Sequence, residues 1–134
     1  MKTAAKVAAF MALAATALLA QTQVDRGPVT ATMKFFWAAP SNITTVADAL
    51  TFEWRVKDGA TPATALTGVT CVIASSQVQC QSVLGQSQAD ALNKVGMHSL
   101  TLTSFRQDVG ESPASTPFSL QSPAGASTGF KIIQ

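Results

Sequence analysis

Leu50-Thr51-Phe52-Glu53-Trp54-Arg55-Val56-Lys57 alternates apolar and polar residues without a break. In an extended chain Leu50, Phe52, Trp54 and Val56 fall on one face and Thr51, Glu53, Arg55 and Lys57 on the other. That period of two marks a half-buried strand. The pattern recurs on both sides. Val29, Ala31, Met33, Phe35 and Trp37 share a face opposite Thr30, Thr32 and Lys34, and Leu100 and Leu102 alternate with Ser99, Thr101 and Thr103. Further strands are predicted over 66–74, 77–83, 116–120 and 130–133. Turn formers separate them at Pro40-Ser41-Asn42, Asp58-Gly59, Val109-Gly110 and Ser122-Pro123. Short strands at even spacing, with no helix crossing between them, predict an all-β chain folded as an antiparallel sandwich or barrel. One stretch departs from the pattern. Over 87–95, Ser87 as N-cap, Asp90 three residues later and Gly96 beyond the end would suit a short helix; an irregular strand or a single helical turn is the expectation.

Residues 1–20 carry a different signal. Lys2 and Lys6 open a run, 7–19, that is apolar or small apart from Thr16. It is shorter than the ~20 residues a bilayer span needs and fits the apolar helix of a secretory signal peptide, cut after Ala20 or after Ala17. A buried helix at the start of the domain is the alternative. The chain is therefore expected to be secreted or periplasmic, and no Cys follows the run to take a lipid. Losing Lys2 and Lys6 leaves seven basic residues against seven acids. The remaining cations stand singly, whereas nucleic-acid binding draws on clustered phosphate contacts. Neither a second long apolar run nor a basic amphipathic helix follows, so membrane insertion after cleavage is not expected. The remaining chain is one domain, large enough to bury a core without a metal. Its expected plan is an N-terminal extension with an edge strand (21–39), a sandwich (40–120), and a C-terminal tail (121–134) holding either an extra strand at 130–133 or a loose end.

Cys71 and Cys80 are the only cysteines, and in an exported chain a disulfide is the default. A hairpin centred between Ser75 and Ser76 pairs Ala74 with Gln77, Ile73 with Val78, Val72 with Gln79 and Cys71 with Cys80. With a two-residue turn the cysteines form a non-hydrogen-bonded pair at Cα separations of ~4.5–5.5 Å, which a disulfide accepts. Cys71, Ile73, Val78 and Cys80 then share an apolar face, with Gln77 and Gln79 opposite. Ser-Ser suits a tight primed turn poorly, so a four-residue loop with the same centre is an equal alternative.

Three stretches, taken in order, resemble a fibronectin type III domain. Leu50-Thr51-Phe52-Glu53-Trp54 looks like that family's B strand with its buried tryptophan, and Leu66-Thr67-Gly68-Val69-Thr70-Cys71 looks like the start of strand C. Leu92-Asn93-Lys94-Val95-Gly96-Met97-His98 resembles the leucine-to-tyrosine corner, followed by an F strand at Leu100-Thr101-Leu102-Thr103-Ser104. Gly110-Glu111-Ser112-Pro113-Ala114-Ser115 resembles the turn into strand G. The resemblance spans about 40–120 and implies an immunoglobulin-like antiparallel sandwich. The chain has no tyrosine, so His98 stands at the corner, and the corner's hydrogen bond to backbone is not carried over with the fold. The disulfide lies outside the family pattern. The resemblance also implies binding loops at one end of the sandwich: 57–64, with Lys57 and Asp58, and 106–111, with Arg106, Gln107 and Asp108.

Signals of chemistry are sparse. His98, the single histidine, has no Cys or acid at ligand spacing and reads as a half-buried strand residue filling the corner rather than a metal ligand. The acids form no recognisable catalytic pair, and the serines lack a base, a phosphate loop or a Gly-x-Ser-x-Gly elbow. Neither catalysis nor a cofactor is expected. Asn42-Ile43-Thr44 fits a glycosylation acceptor in a host that glycosylates. Phe35, Phe36 and Trp37 are consecutive and cannot all face one core. Phe36 is expected to lie under an extra terminal strand; otherwise it forms an exposed apolar patch for a partner or for self-association. The leading function is an exported, non-enzymatic binding or adhesion module for a protein or glycan, reading its ligand with the end loops. The alternative is a structural subunit of an extracellular or virion-like assembly, joined through an edge strand at 29–38 or 130–133.

Overall fold

A computed structural model describes residues 23–125 and 127–134; the expected signal peptide and both expected cleavage sites lie outside them. Among the described residues eight strands form, β1 (Lys34–Ala38), β2 (Glu53–Asp58), β3 (Thr64–Ala65), β4 (Thr70–Ala74), β5 (Gln77–Val83), β6 (Gly96–Arg106), β7 (Gly110–Glu111) and β8 (Phe118–Ser122), with helices α1 (Val46–Ala49) and α2 (Gly85–Leu92). One antiparallel sheet runs β1-β5-β4. The other runs β3-β2-β6, with β7 and β8 pairing successive parts of the far edge of β6. A β-rich domain of two such sheets with one disulfide is compatible with an immunoglobulin-like fold. Among the described residues no helix is long and apolar enough to cross a membrane.

The inner faces meet through the alternating residues. Trp37 of β1 and Trp54 of β2 lie with ring centroids 5.3 Å apart and planes tilted by 46°. Ala39, Ile43, Ala49, Val78 and Cys80 complete that cluster, while Val29, Val56, Ala89, Leu92, Leu100 and Leu120 form a second one. Val29, Trp37 and Ala39, from the expected N-terminal extension, thus contribute to these clusters.

The alternation over 50–57 is only partly strand. Thr45 caps α1, its Oγ1 accepting from the Asp48 amide at 3.1 Å, and Ala49 is fully buried. This turn takes the chain up to Leu50, which is left exposed, so β2 starts at Glu53. A similar break shortens β1: the Met33 amide donates to the Thr30 carbonyl at 3.1 Å, a turn inside the predicted run.

The hairpin register is the one expected, residue for residue, and the disulfide joins Cys71 to Cys80 across it. Ser75 and Ser76 sit at φ 50° and 61°, so the connection is the two-residue primed turn rather than a four-residue loop. The faces are less simple. Ile73 is 47% exposed and Gln79 only 3%. β4 is a sheet edge, whereas Gln79 lies on the central strand between Ala38 and Val72, its cross-strand neighbours.

Three further expectations are corrected. Residues 85–92 form the helix α2, starting before Ser87 and with no side-chain cap. Ala89 and Leu92, one turn apart, bury against the second cluster, and Gln86 Nε2 donates to Asp90 Oδ1 at 2.7 Å. The predicted strand 66–74 is strand only from Thr70: β3, just before it, pairs with β2, Gly68 turns the chain at φ +63°, and β4 joins the other sheet. Residues 130–133 form no strand. Phe130, Ile132 and Ile133 are 99%, 98% and 77% exposed, and Phe36, which that strand was to cover, is 42% exposed.

Candidate interaction edge and cleft

β1 pairs on one side only, with β5, from Lys34 opposite Val83 to Ala38 opposite Gln79. Among the described residues no strand pairs with its other side. The preceding segment explains why. Instead of returning along β1, it crosses to the other sheet, where the Gly27 amide donates to the Gln121 carbonyl at 3.0 Å and the Gln121 amide to Asp25 at 3.2 Å, a parallel bridge at Arg26. Asn93, just past α2, then clamps Val29: its Oδ1 accepts from the Val29 amide and its Nδ2 donates to the Val29 carbonyl, both at 2.8 Å.

A cleft of about 980 Å³ opens between β1 and the β6–β8 side of the other sheet. Its inner wall is apolar, with Phe35, Val56, Leu100, Leu102, Phe118 and Leu120 among the lining residues. All five residues of β1 border it, inward and outward alike, as an unpaired edge would. Trp37 is buried in this wall, and its Nε1 has no hydrogen-bond partner. A buried donor left unpaired costs about 1–3 kcal/mol. Phe35, Phe36 and Trp37 are therefore brought together as an edge: Phe35 and Trp37 turn inward, and Phe36 stays exposed on the outer face.

The predicted loop residues are not brought together. The β2–β6 register sets Asp58 opposite Leu100 and Glu53 opposite Phe105. The 57–64 and 106–111 loops thus sit at opposite ends of the sheet, about 17 Å apart along the strand. Lys57 and Gln107 are exposed. Arg106 is engaged: its Nε donates to Asp108 at 2.7 Å, its Nη1 to Thr51 Oγ1 at 2.8 Å and Asp48 at 3.3 Å, and its guanidinium lies 4.5 Å from the centre of the Phe52 ring. The same hydrogen bond holds the Asp108 carboxyl below the usual carboxylate range.

Asp58 is committed as well. His98 Nδ1 lies 2.5 Å from Asp58 Oδ2, His98 Nε2 lies 2.7 Å from the Lys94 carbonyl, and the Ser99 amide donates to Asp58 Oδ1 at 3.0 Å. His98 therefore does hydrogen-bond to backbone, at a carbonyl four residues upstream. A carbonyl and a carboxylate as the two partners both favour N–H on the ring. The Asp58 hydrogen bond, then the Lys94 carbonyl, accordingly raise the His98 pKa against the opposing effect of burial.

The folded form thus holds the proton more tightly than the unfolded chain, for which ~6.5 is usual. The stabilisation is fully present below that value and is lost as pH rises through the folded pKa. Wild-type melting temperature is expected to fall between mildly acidic and mildly alkaline pH. His98→Gln should start about 2 kcal/mol less stable at acidic pH and follow a flatter profile; parallel profiles for the two proteins would refute the assignment.

The cleft, the Asn93 clamp and the Asp58–His98 pair carry no sequence signal, since each joins residues far apart in the chain. No family model, no curated protein and no solved structure matches the chain.

Proposed function

We propose that the protein is an exported, non-catalytic binding module, related in plan to fibronectin type III and other immunoglobulin-like sandwiches, that takes up an extended segment along β1. The observation carrying this reading is the unpaired β1 edge opening onto the apolar cleft. Strand order supports the immunoglobulin-like assignment. Lettered in that plan, β1-β5-β4 reads B-E-D and β3-β2-β6-β8 reads C′-C-F-G. The Trp54 strand pairs with β6 and so takes the C position, where immunoglobulin domains carry their buried tryptophan, rather than the B position of the fibronectin resemblance. Among the described residues the A position, beside β1, is vacant.

Export is supported by the apolar run at 7–19 and by the disulfide. A non-catalytic role is supported by the commitment of the one imidazole: each ring nitrogen already has a partner. Binding would proceed by strand addition, in which main-chain hydrogen bonds to the edge supply affinity and alternate side chains entering the cleft supply specificity. Peptides of alternating apolar and polar residues are expected to shift the backbone amide resonances of 34–38 and the indole resonance of Trp37. Shifts confined to 57–64 or 106–111 would return the binding site to the end loops and sink this reading.

A further inference from the structure

We propose that the segment received by the β1 edge is the C-terminal stretch 127–134 of a second copy of this chain, which makes the protein a head-to-tail assembly subunit. The inference rests on the strand-addition reading above and names its partner. Ser127-Thr128-Gly129-Phe130-Lys131-Ile132-Ile133-Gln134 places three large apolar side chains almost wholly in water. When extended, Phe130 and Ile132 share one face, and Lys131 and Ile133 share the other. One face can enter the apolar cleft while Lys131 stays at the rim.

The chain's own tail is poorly placed to do this. It leaves β8 at Ser122, where residues 25–27 already occupy the outer side of β8. Gly27 packs so closely there that a Cβ on it would come within 3.1 Å of Ser122 Oγ. The Asn93 clamp on Val29 continues this barrier towards β1. A tail from another molecule meets no such obstacle. Donor tail and acceptor cleft are different surfaces of one molecule, so the contact is heterologous and need not close, and it propagates into chains.

The test uses light scattering behind size exclusion on the chain beginning at Gln21, over a wide range of concentration. Two variants accompany it, one ending at residue 125 and the other Ile132→Asp. Because the tail lies outside the core, both should fold as the parent does. The full chain is expected to grow in mass with concentration and the variants to stay monomeric. A synthetic 127–134 peptide should bind the truncated monomer and shift the 34–38 amides, with about tenfold or greater loss of affinity for its Ile132→Asp form. A monomeric full chain, with or without tail amides protected from exchange, overturns the proposal, as does assembly that survives truncation. If unrelated alternating peptides shift the β1 amides while the 127–134 peptide does not, the assembly proposal fails and the binding-module reading stands.

Discussion

Replacing Trp54 with alanine is expected to lower the free energy of unfolding by about 3–5 kcal/mol. Trp54 is 3% exposed and touches both halves of the first cluster, with Trp37 across the sheets and Phe52 at a centroid distance of 6.2 Å beside it. Its Nε1 donates to the Ala49 carbonyl at 3.0 Å, which ties α1 to β2. Truncation therefore opens a large cavity and also leaves the Ala49 carbonyl with only the longer hydrogen bond from the Phe52 amide, at 3.4 Å. Domains of this size are commonly stable by only about 5–15 kcal/mol, so the variant should sit near the margin of folding. Urea denaturation followed by far-ultraviolet circular dichroism measures this directly. Trp54→Phe separates the two contributions: it keeps most of the ring volume and should lose about 1–2 kcal/mol, largely the hydrogen bond. An alanine variant within about 1 kcal/mol of wild type would mean that the two sheets do not meet through this residue.

The Cys71→Ala, Cys80→Ala double variant is expected to lose about 2–3 kcal/mol. The bridge spans nine residues of sequence, and closing so short a loop restricts the unfolded chain only modestly in the chain-entropy account. Cys80 is fully buried beside Trp37, its cross-strand neighbour, so a small packing loss adds to the entropic one. Reducing the wild-type protein should produce a loss of similar size. The hairpin register should persist without the bridge, because Val78 and Trp37 still anchor β5 and β1 in the core. Equal denaturation midpoints for the oxidised and reduced protein would refute the estimate.

Interactions between near neighbours in sequence were legible. Alternation placed Trp37, Trp54, Val56 and Leu100 inside, and all four are buried. The Cys71–Cys80 register followed from spacing alone because a hairpin's pairing is set by the centre of its turn. Elsewhere local signals competed with patterns of the same length. The Thr45–Asp48 cap and the Ala89–Leu92 pair were present in the sequence, but each spans only a few residues beside longer period-two runs.

From its sequence alone the protein is a β-rich chain with a cross-hairpin disulfide and a known set of inward-facing residues, because side-chain period and hairpin register act over a few residues. Which sheet each strand joins was decided only in three dimensions. Nothing local assigns β2 to β6 rather than β5, or sends β3 and β4 to different sheets; burial of the whole apolar surface selects those pairings. The β1 edge arises the same way. It is left open because residues 25–29 are held by Gln121 and Asn93, more than sixty positions away in the chain, and no pattern within a single strand records a missing neighbour.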